Sequence, residues 1–291
     1  MKGAFKKSLR KPSSVVSLFL IILTVVVSIV SNYGLSGEYE ILEDRLNIFC
    51  IDVGQGDCTY IVFPNGKNML IDAGEKDSEV YYLLENYKIE KIDYLVITHS
   101  HSDHAGGMED IIEKFWVEKI IMPDASSPAT FFDNLLDTID KRNIPVVQAK
   151  EGVVIHKEED LTAEIISPDE DGYNDLNNMS AVIKITYGEN EFLFMGDAEI
   201  EAEENISADV NADFIRIGHH GSNTSSSESF LNRVKPQYAV ISVGEFNSYG
   251  HPHDEVIKRY EDLGTEIYRT DQMGTISVVS DGKNITIKPQ K

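Results

Sequence analysis

The segment Thr98-His99-Ser100-His101-Ser102-Asp103-His104 sets four ligand-capable side chains within six positions. It follows the apolar run Ile92–Ile97 and precedes Gly106-Gly107. A strand ending in H-x-H-x-D-H lets His99 and His101 chelate one divalent ion and Asp103 and His104 a second. Imidazole and carboxylate oxygen are the donors Zn²⁺ takes in catalytic sites, and Mn²⁺ and Fe²⁺ accept them too. Asp197 closes a second apolar run, FLFMGDAE, where one carboxylate can bridge two ions. Taken alone it would read as a helix N-cap. His219-His220, after IRIG, offers one imidazole to the second ion and one to substrate, with the assignment open. His251, in YGHPH, is a candidate phosphate contact or proton donor. His253 is expected to cap a helix or face solvent, and His156 to be an ordinary strand or surface residue.

Such ligands need strands that end at a common edge. LNIFCIDV (46–53), CTYIVF (58–63), NMLIDA (68–73), IDYLVIT (92–98), AVIKITY (181–187), EFLFMG (191–196), DFIRIG (213–218) and YAVISV (238–243) have strand composition. Residues 77–87, 106–115, 129–142, 199–205, 228–234 and 254–263 have helical patterning. Hairpins come first and helix-separated strands later, which predicts two mixed sheets packed face to face with helices outside, an α/β class. The polar loop Ser167–Ser180 is expected to be exposed, and residues 267–288 to form a three-strand meander. With a turn at Gly54–Asp57, Cys50 falls opposite Ile61. The pair Cys50 and Cys58 is then out of register for a disulfide.

Together the runs FCIDVGQGDCTYI, LIDAG, ITHSHSDHAGG, NNMSAVIKI, FLFMGDAE, IRIGHHGSNTS, YAVISVG, NSYGHPH and YRTDQMGTI resemble the metallo-β-lactamase superfamily. More narrowly they resemble the extracytoplasmic hydrolase domain of ComEC-type competence proteins, over residues 46–288. The resemblance implies an αβ/βα sandwich with two divalent metals, Zn²⁺ or Mn²⁺, at one edge. It implies hydrolysis by metal-bound hydroxide, most readily of a phosphodiester. Metal ligands would be His99, His101, Asp103, His104, Asp197 and His219 or His220. Asp103 or Asp197 would hold the hydroxide, and His219 or His220 and His251 would donate to phosphoryl oxygens. Asp72, closing LIDAG, would orient a ligand histidine. Ser222–Ser225 would cap the helix 228–234, with substrate contact by Ser222 the weaker alternative.

The third histidine usual between the first loop and the bridging aspartate is missing; only His156 lies between His104 and His219. An Asn-rich stretch, Asn177-Asn178, stands in its place, so the first metal is expected to be weakly held or completed by an Asn carbonyl. The multispan channel of competence proteins is also not matched, so DNA transport by this chain alone is not expected.

Residues 1–37 carry Lys2, Lys6, Lys7, Arg10 and Lys11 and no acidic residue, ahead of the apolar Val15–Val30. This predicts an N-terminus in the cytoplasm and an extracytoplasmic catalytic domain, with a retained anchor favoured over a cleaved signal. Residues 38–45 are expected to be a linker. The remainder has 21 basic against 49 acidic side chains, net −28. Bulk electrostatics therefore cannot hold a polyanion, and any phosphate must be met locally. Two cysteines exclude a disulfide scaffold or Cys-rich zinc module. The expected substrate is a small phosphodiester or nucleic acid, with membrane attachment through the N-terminal segment and no protein partner evident. Two alternatives stand beside it: a hydrolase of cell-surface or small-molecule esters such as phosphorylcholine esters, and a non-catalytic binding module.

Overall fold

Strand ends converge on one edge of the molecule. The computed structural model describes residues 40–291 apart from 79, 125, 126, 128 and 170–172. The apolar segment Val15–Val30 lies outside the described residues. Among the described residues no helix is long and apolar enough to cross a membrane.

Seventeen strands and eight short α-helices are described. The first sheet contains β1 (Leu46–Cys50), β2 (Thr59–Val62), β3 (Asn68–Ile71), β5 (Tyr94–Val96), β7 (Ile120–Met122), β8 (Val146–Gln148), β16 (Ile276–Ser280) and β17 (Ile285–Pro289). Its order is β17-β16-β1-β2-β3-β5-β7-β8. The second contains β9 (Val154–Lys157), β10 (Leu161–Ser167), β11 (Val182–Tyr187), β12 (Asn190–Phe194), β13 (Phe214–Arg216), β14 (Tyr238–Ile241) and β15 (Glu266–Arg269), in the order β15-β14-β13-β12-β11-β10-β9. β4 (Lys91–Ile92) and β6 (Trp116–Val117) form a separate parallel pair. The helices are α1 (Val80–Asn86), α2 (Ser102–Ala105), α3 (Met108–Lys114), α4 (Thr130–Arg142), α5 (Ile200–Asn205), α6 (Glu228–Val234), α7 (Asp254–Asp262) and α8 (Thr270–Met273).

The sheets face each other across one apolar core. Ile48, Cys50, Ile61, Met69, Ile71 and Val96 meet Ala163, Ile183, Ile185, Phe192, Phe194 and Phe214 there. On β12 and β13 the intervening Leu193 and Ile215 point the other way, against Phe230, Leu231 and Val234 of α6 and Val256 and Tyr260 of α7. The parallel strands are therefore buried on both faces, which is why they read as continuous apolar runs. This is the expected αβ/βα sandwich.

Several local expectations shift. The C-terminal segment is not one meander: β15 joins β14 in the second sheet, and only β16 and β17 form a hairpin in the first. Thr270 pins the crossing, its hydroxyl accepting from Val243 N (2.9 Å) and donating to Val243 O (3.0 Å). The helix expected over 106–115 is α3, shortened to Met108–Lys114, and the short α2 precedes it across Gly106-Gly107. Cys50 pairs with Thr59 rather than Ile61, because the connection is residues 51–58 and is centred one residue earlier than a Gly54–Asp57 turn. Both thiols are nonetheless free and buried, and burial pushes Cys50 up to about 12. The loop 167–180 is not exposed throughout: residues Leu176–Met179 form a 3₁₀ turn in which Asn177, Asn178 and Met179 are buried. The strands β7 to β10 escaped the sequence reading. Ahead of β1, the Asn47 carboxamide clasps Leu42 N and Leu42 O, each at 2.9 Å.

Candidate metal centre

Five strands deliver the site from their carboxyl ends, the position where open α/β sheets place ligands. Asp72 follows β3, His99–His104 follow β5, Asp197 follows β12, His219-His220 follow β13, and the loop carrying His251 follows β14. Gly56 lets the loop after β1 pack beneath the ligands. A Cβ there would collide with the carbonyl oxygen of Asp103, and Asp57 N donates to that same oxygen at 3.0 Å.

Two histidines are oriented by bonds to Nδ1. His104 Nδ1 donates to Asp72 Oδ2 at 2.7 Å, and His220 Nδ1 donates to Ser242 O at 2.8 Å. Asp72 is fixed in turn by Thr98, whose N and Oγ1 donate to it at 2.8 and 2.6 Å. Each ring thus turns the lone pair of Nε2 into the site. The two Nε2 atoms stand 3.4 Å apart. His220 Nε2 lies 3.3 Å from Asp103 Oδ2 and 3.6 Å from Asp197 Oδ2, and His104 Nε2 lies 3.2 Å from Asp197 Oδ1. Asp103, His104, Asp197 and His220 therefore surround one point.

On the other side of Asp197, His99 Nε2 lies 3.8 Å from Oδ2 and 3.1 Å from His101 Nδ1. His219 Nε2 is also 3.8 Å from that Oδ2, while its Nδ1 donates to Glu199 Oε1 at 3.1 Å. Both His219 and His220 adopt left-handed backbone angles, φ 49° and 53°. That local twist turns two adjacent side chains toward one carboxylate. Of the two, His220 lies beside Asp103 and His104, while His219 shares Asp197 Oδ2 with both His220 and His99.

The donor set suits a divalent cation. Carboxylate oxygens and imidazole nitrogens converge at a buried place, with His104 Nε2 3.2 Å from Asp197 Oδ1. Burial pushes the Asp197 carboxyl up, but His104 and His220 outweigh it and hold the group well below the usual range. Burial also opposes ionisation of Asp103, and the His220 bond overrides it, again downward. For His104, burial lowers the pKa while Asp197 and Asp72 raise it well above an ordinary histidine. His99 is driven well below, by burial and then by His104.

A cleft of about 340 Å³ opens over these groups, lined among others by Gln55, Asn177, Tyr249 and His251. His251 is half-buried, and its Nδ1 has no partner. Burial, and then the neighbouring His219 and His220, lower it to about 4. It is therefore neutral at pH 7, able to hydrogen-bond a phosphoryl oxygen but not to act as a standing imidazolium.

Other expected site residues take different places. Asn178 does not reach the cleft. Its Oδ1 accepts from Glu199 N (3.0 Å) and Ala202 N (3.4 Å) at the start of α5, and its Nδ2 donates to Glu201 Oε2. Asn177 lines the cleft instead, with a buried Oδ1 lacking a partner. Ser222 does not cap α6; Ser227 does, accepting from Phe230 N at 3.2 Å. Ser222 bonds Thr224 Oγ1 (3.0 Å), and Thr224 Oγ1 donates to Glu199 Oε1 (2.6 Å), so Ser222 supports the acid that holds His219. His253 occupies the N-cap position of α7, but its side chain accepts from Asn223 N instead of capping. His156 is remote, bonded to Tyr94 and Glu158. Glu199 and Ser242 were not anticipated as histidine partners. Glu199 stands in the FLFMGDAE run two residues after Asp197, a visible signal, whereas a backbone carbonyl leaves none.

A profile for the Metallo-beta-lactamase superfamily matches residues 51–245. The chain is 28% identical over 260 residues to ComE operon protein 3 of Bacillus subtilis (strain 168), covering 82% of this chain and 33% of that protein. It is 28% identical over 244 residues to Competence protein ComA of Neisseria gonorrhoeae, covering 80% and 32%. The chain thus spans about a third of the length of these curated relatives. Among solved structures it resembles Igni18, a metallo hydrolase from Ignicoccus hospitalis KIN4/I, with TM-score 0.53 and 15% identity over 79% of this chain and 98% of that one.

Proposed function

This chain belongs to the metallo-β-lactamase superfamily as a metal-dependent hydrolase, and we propose that its reaction is cleavage of phosphodiesters, nucleic acid included, outside the cytoplasmic membrane. The observation that carries the reading is the position of Asp197, which offers Oδ1 to His104 and Oδ2 to His99, His219 and His220. One carboxylate thus stands between two donor sets, each open to the same cleft. The Asp103 set has four protein donors. The His99 set has His99, His101 and Asp197, with His219 facing the shared Asp197 Oδ2 and Asn177 lining the cleft.

A divalent pair, Zn²⁺ or Mn²⁺, supplies Lewis-acid activation of water and of a phosphoryl oxygen when bound. The chain's own groups do the rest. Asp72 and Ser242 O hold two rings in the donor tautomer. Asp103 and Asp197, ionised at neutral pH, would hold the cations and orient an attacking water through hydrogen bonds. His251 donates a hydrogen bond to a non-bridging or leaving oxygen. Similarity to a protein named for competence supports DNA as the polymer. The basic flank before Val15–Val30 supports the extracytoplasmic placement.

The test is an assay panel on the full chain after metal analysis: a bis-aryl phosphodiester, an arylphosphorylcholine, single-stranded DNA and a β-lactam. Cleavage of the first and third is expected. Hydrolysis confined to carboxylic esters, lactams or phosphorylcholine esters would replace this reading. Metal-loaded protein inert on all four would favour a binding module.

A further inference from the structure

Beside the cleft, residues 244–251 present two aromatic side chains outward. Phe246 is 93% exposed and Tyr249 65% exposed. Phe246 also sits at φ +60°, a strained backbone region for a bulky residue. Nothing within the described fold repays either feature, since the ring buries almost nothing. The loop is nevertheless held in shape. Asn247 Oδ1 accepts from Tyr249 N (3.2 Å) and His251 N (3.0 Å), and its Nδ2 donates to Gly244 O (3.1 Å) and His251 O (2.7 Å). Gly244 N donates to Gln55 Oε1 at 3.2 Å, and a Cβ on Gly244 would strike the backbone of Gln55. One carboxamide thus organises the loop, and a close backbone contact fastens it to Gln55 of the cleft lining.

The rings continue inward as a ladder. Tyr249 stacks on His251 with centroids 5.7 Å apart at 22°, and His251 stacks on His220 at 6.4 Å and 26°. The innermost member is a metal-ligand candidate and the outermost an exposed phenol face. A column of near-parallel rings is extended by another flat ring. With a net charge of −28 beyond the first 37 residues, the domain needs affinity for its substrate that does not depend on phosphate.

We infer that Tyr249 and Phe246 form a stacking platform for an unpaired nucleobase flanking the scissile phosphodiester. This deepens the phosphodiesterase reading and rests on it. Base–aromatic stacking is sequence-tolerant, because every base presents a π face. The platform selects single-stranded over duplex nucleic acid, since paired bases cannot reach the rings, and it places the phosphate 5′ or 3′ of the stacked base over the cleft.

The experiment compares the full metal-loaded chain on a short oligothymidylate and on the same oligomer with abasic sugars flanking the scissile phosphate. Wild type is expected to favour the base-bearing oligomer by roughly tenfold or more in kcat/KM, carried by KM. Phe246→Ala and Tyr249→Ala should each lose about 5- to 100-fold on that oligomer and at least several-fold less on the abasic one. Tyr249→Phe should retain the preference. Phe246→Gly, which removes the φ strain, should melt higher than wild type yet lose the preference as Phe246→Ala does.

Equal activity on the two oligomers in wild type overturns the platform while leaving the phosphodiesterase reading intact. If neither oligomer is cleaved, that reading fails. Anisotropy of a labelled oligothymidylate then decides the platform alone, with weakened binding in both Ala variants supporting it and unchanged binding overturning it. A preference for a choline ester that depends on the two rings would assign them to a quaternary ammonium instead. A change of oligomeric state in Phe246→Ala without a change in base preference would assign the loop to self-association.

Discussion

Arg216 is ion-paired to Asp57 behind the candidate metal ligands, and both side chains are buried. The same guanidinium donates through Nη1 to Gly196 O (3.2 Å) and Ile217 O (2.7 Å). Those carbonyls immediately precede Asp197 and the Gly218-His219-His220 turn. One buried cation therefore ties together the loop under Asp103 and the ends of β12 and β13.

Removing it leaves the Asp57 charge uncompensated in the interior. Arg216→Met is expected to cost about 3–5 kcal/mol in urea unfolding of the metal-free protein. Adding Asp57→Asn should return a large part of that loss, because the stranded charge goes with it. A double variant as unstable as the two single variants combined would show that the pair is not energetically coupled.

The Asp197 carboxylate faces both donor sets, so Asp197→Ala is expected to remove detectable turnover and most bound metal. His99→Ala and His101→Ala touch only one set and should leave about one metal per chain by elemental analysis. Full hydrolysis by Asp197→Ala protein would sink the two-metal arrangement.

Asp72 shapes the centre through His104. Asp72→Asn replaces one acceptor oxygen by an amide donor and no longer favours the tautomer with Nε2 bare, and metal affinity should fall about 10- to 100-fold. Competition with a chelator measures this, and unaltered far-ultraviolet circular dichroism would show that the fold persists.

Much of this was legible before the fold was known, because the ligands are sequence-local. His99, His101, Asp103 and His104 share one loop after one strand, and Asp197 and His219-His220 each end an apolar run. What escaped depends on long-range packing. Nothing near Arg216 in sequence reveals that its partner is Asp57, 159 positions earlier. Asn177 and Asn178 are neighbours with the same chemistry. Only the 3₁₀ turn Leu176–Met179 decides that one lines the cleft and the other caps α5. The exposed loop expected there was wrong in part for the same reason: polar residues are buried when a helix terminus requires their hydrogen bonds.

Metal binding should release protons. In the metal-free protein burial lowers His104, but Asp197 and Asp72 raise it well above the unfolded value of about 6.5. Its charge therefore stabilises the metal-free fold fully below about pH 6.5, and that contribution is lost as pH rises through the folded pKa. A bound cation requires bare Nε2, so the proton must leave, and apparent affinity should climb with pH over that window. His99, held low by burial, is already neutral and adds nothing to the release. Calorimetry at pH 7 in buffers of different ionisation enthalpy should report about one proton from this ring. No net release would contradict a charged His104.

DNA binding should fail when the metal is chelated. Neither Arg216 nor Lys235 serves as a phosphate contact. Arg216 is buried and committed to Asp57, and Lys235 is the C-cap of α6, outside the lining of the cleft. The chain beyond residue 37 carries −28, so its long-range field opposes a polyanion. Attraction at the phosphate must then come from the bound cations, helped by contacts to the uncharged parts of the strand. Few counterions are released by such a footprint. The slope of log K against log salt for single-stranded DNA should therefore be shallow, about −1 or less steep, against the steep slopes of basic grooves. Anisotropy titrations from low to physiological salt, with and without chelator, measure both quantities. Tight binding by the metal-free protein, or a slope steeper than about −3, would require a basic surface that the described residues do not display at the cleft.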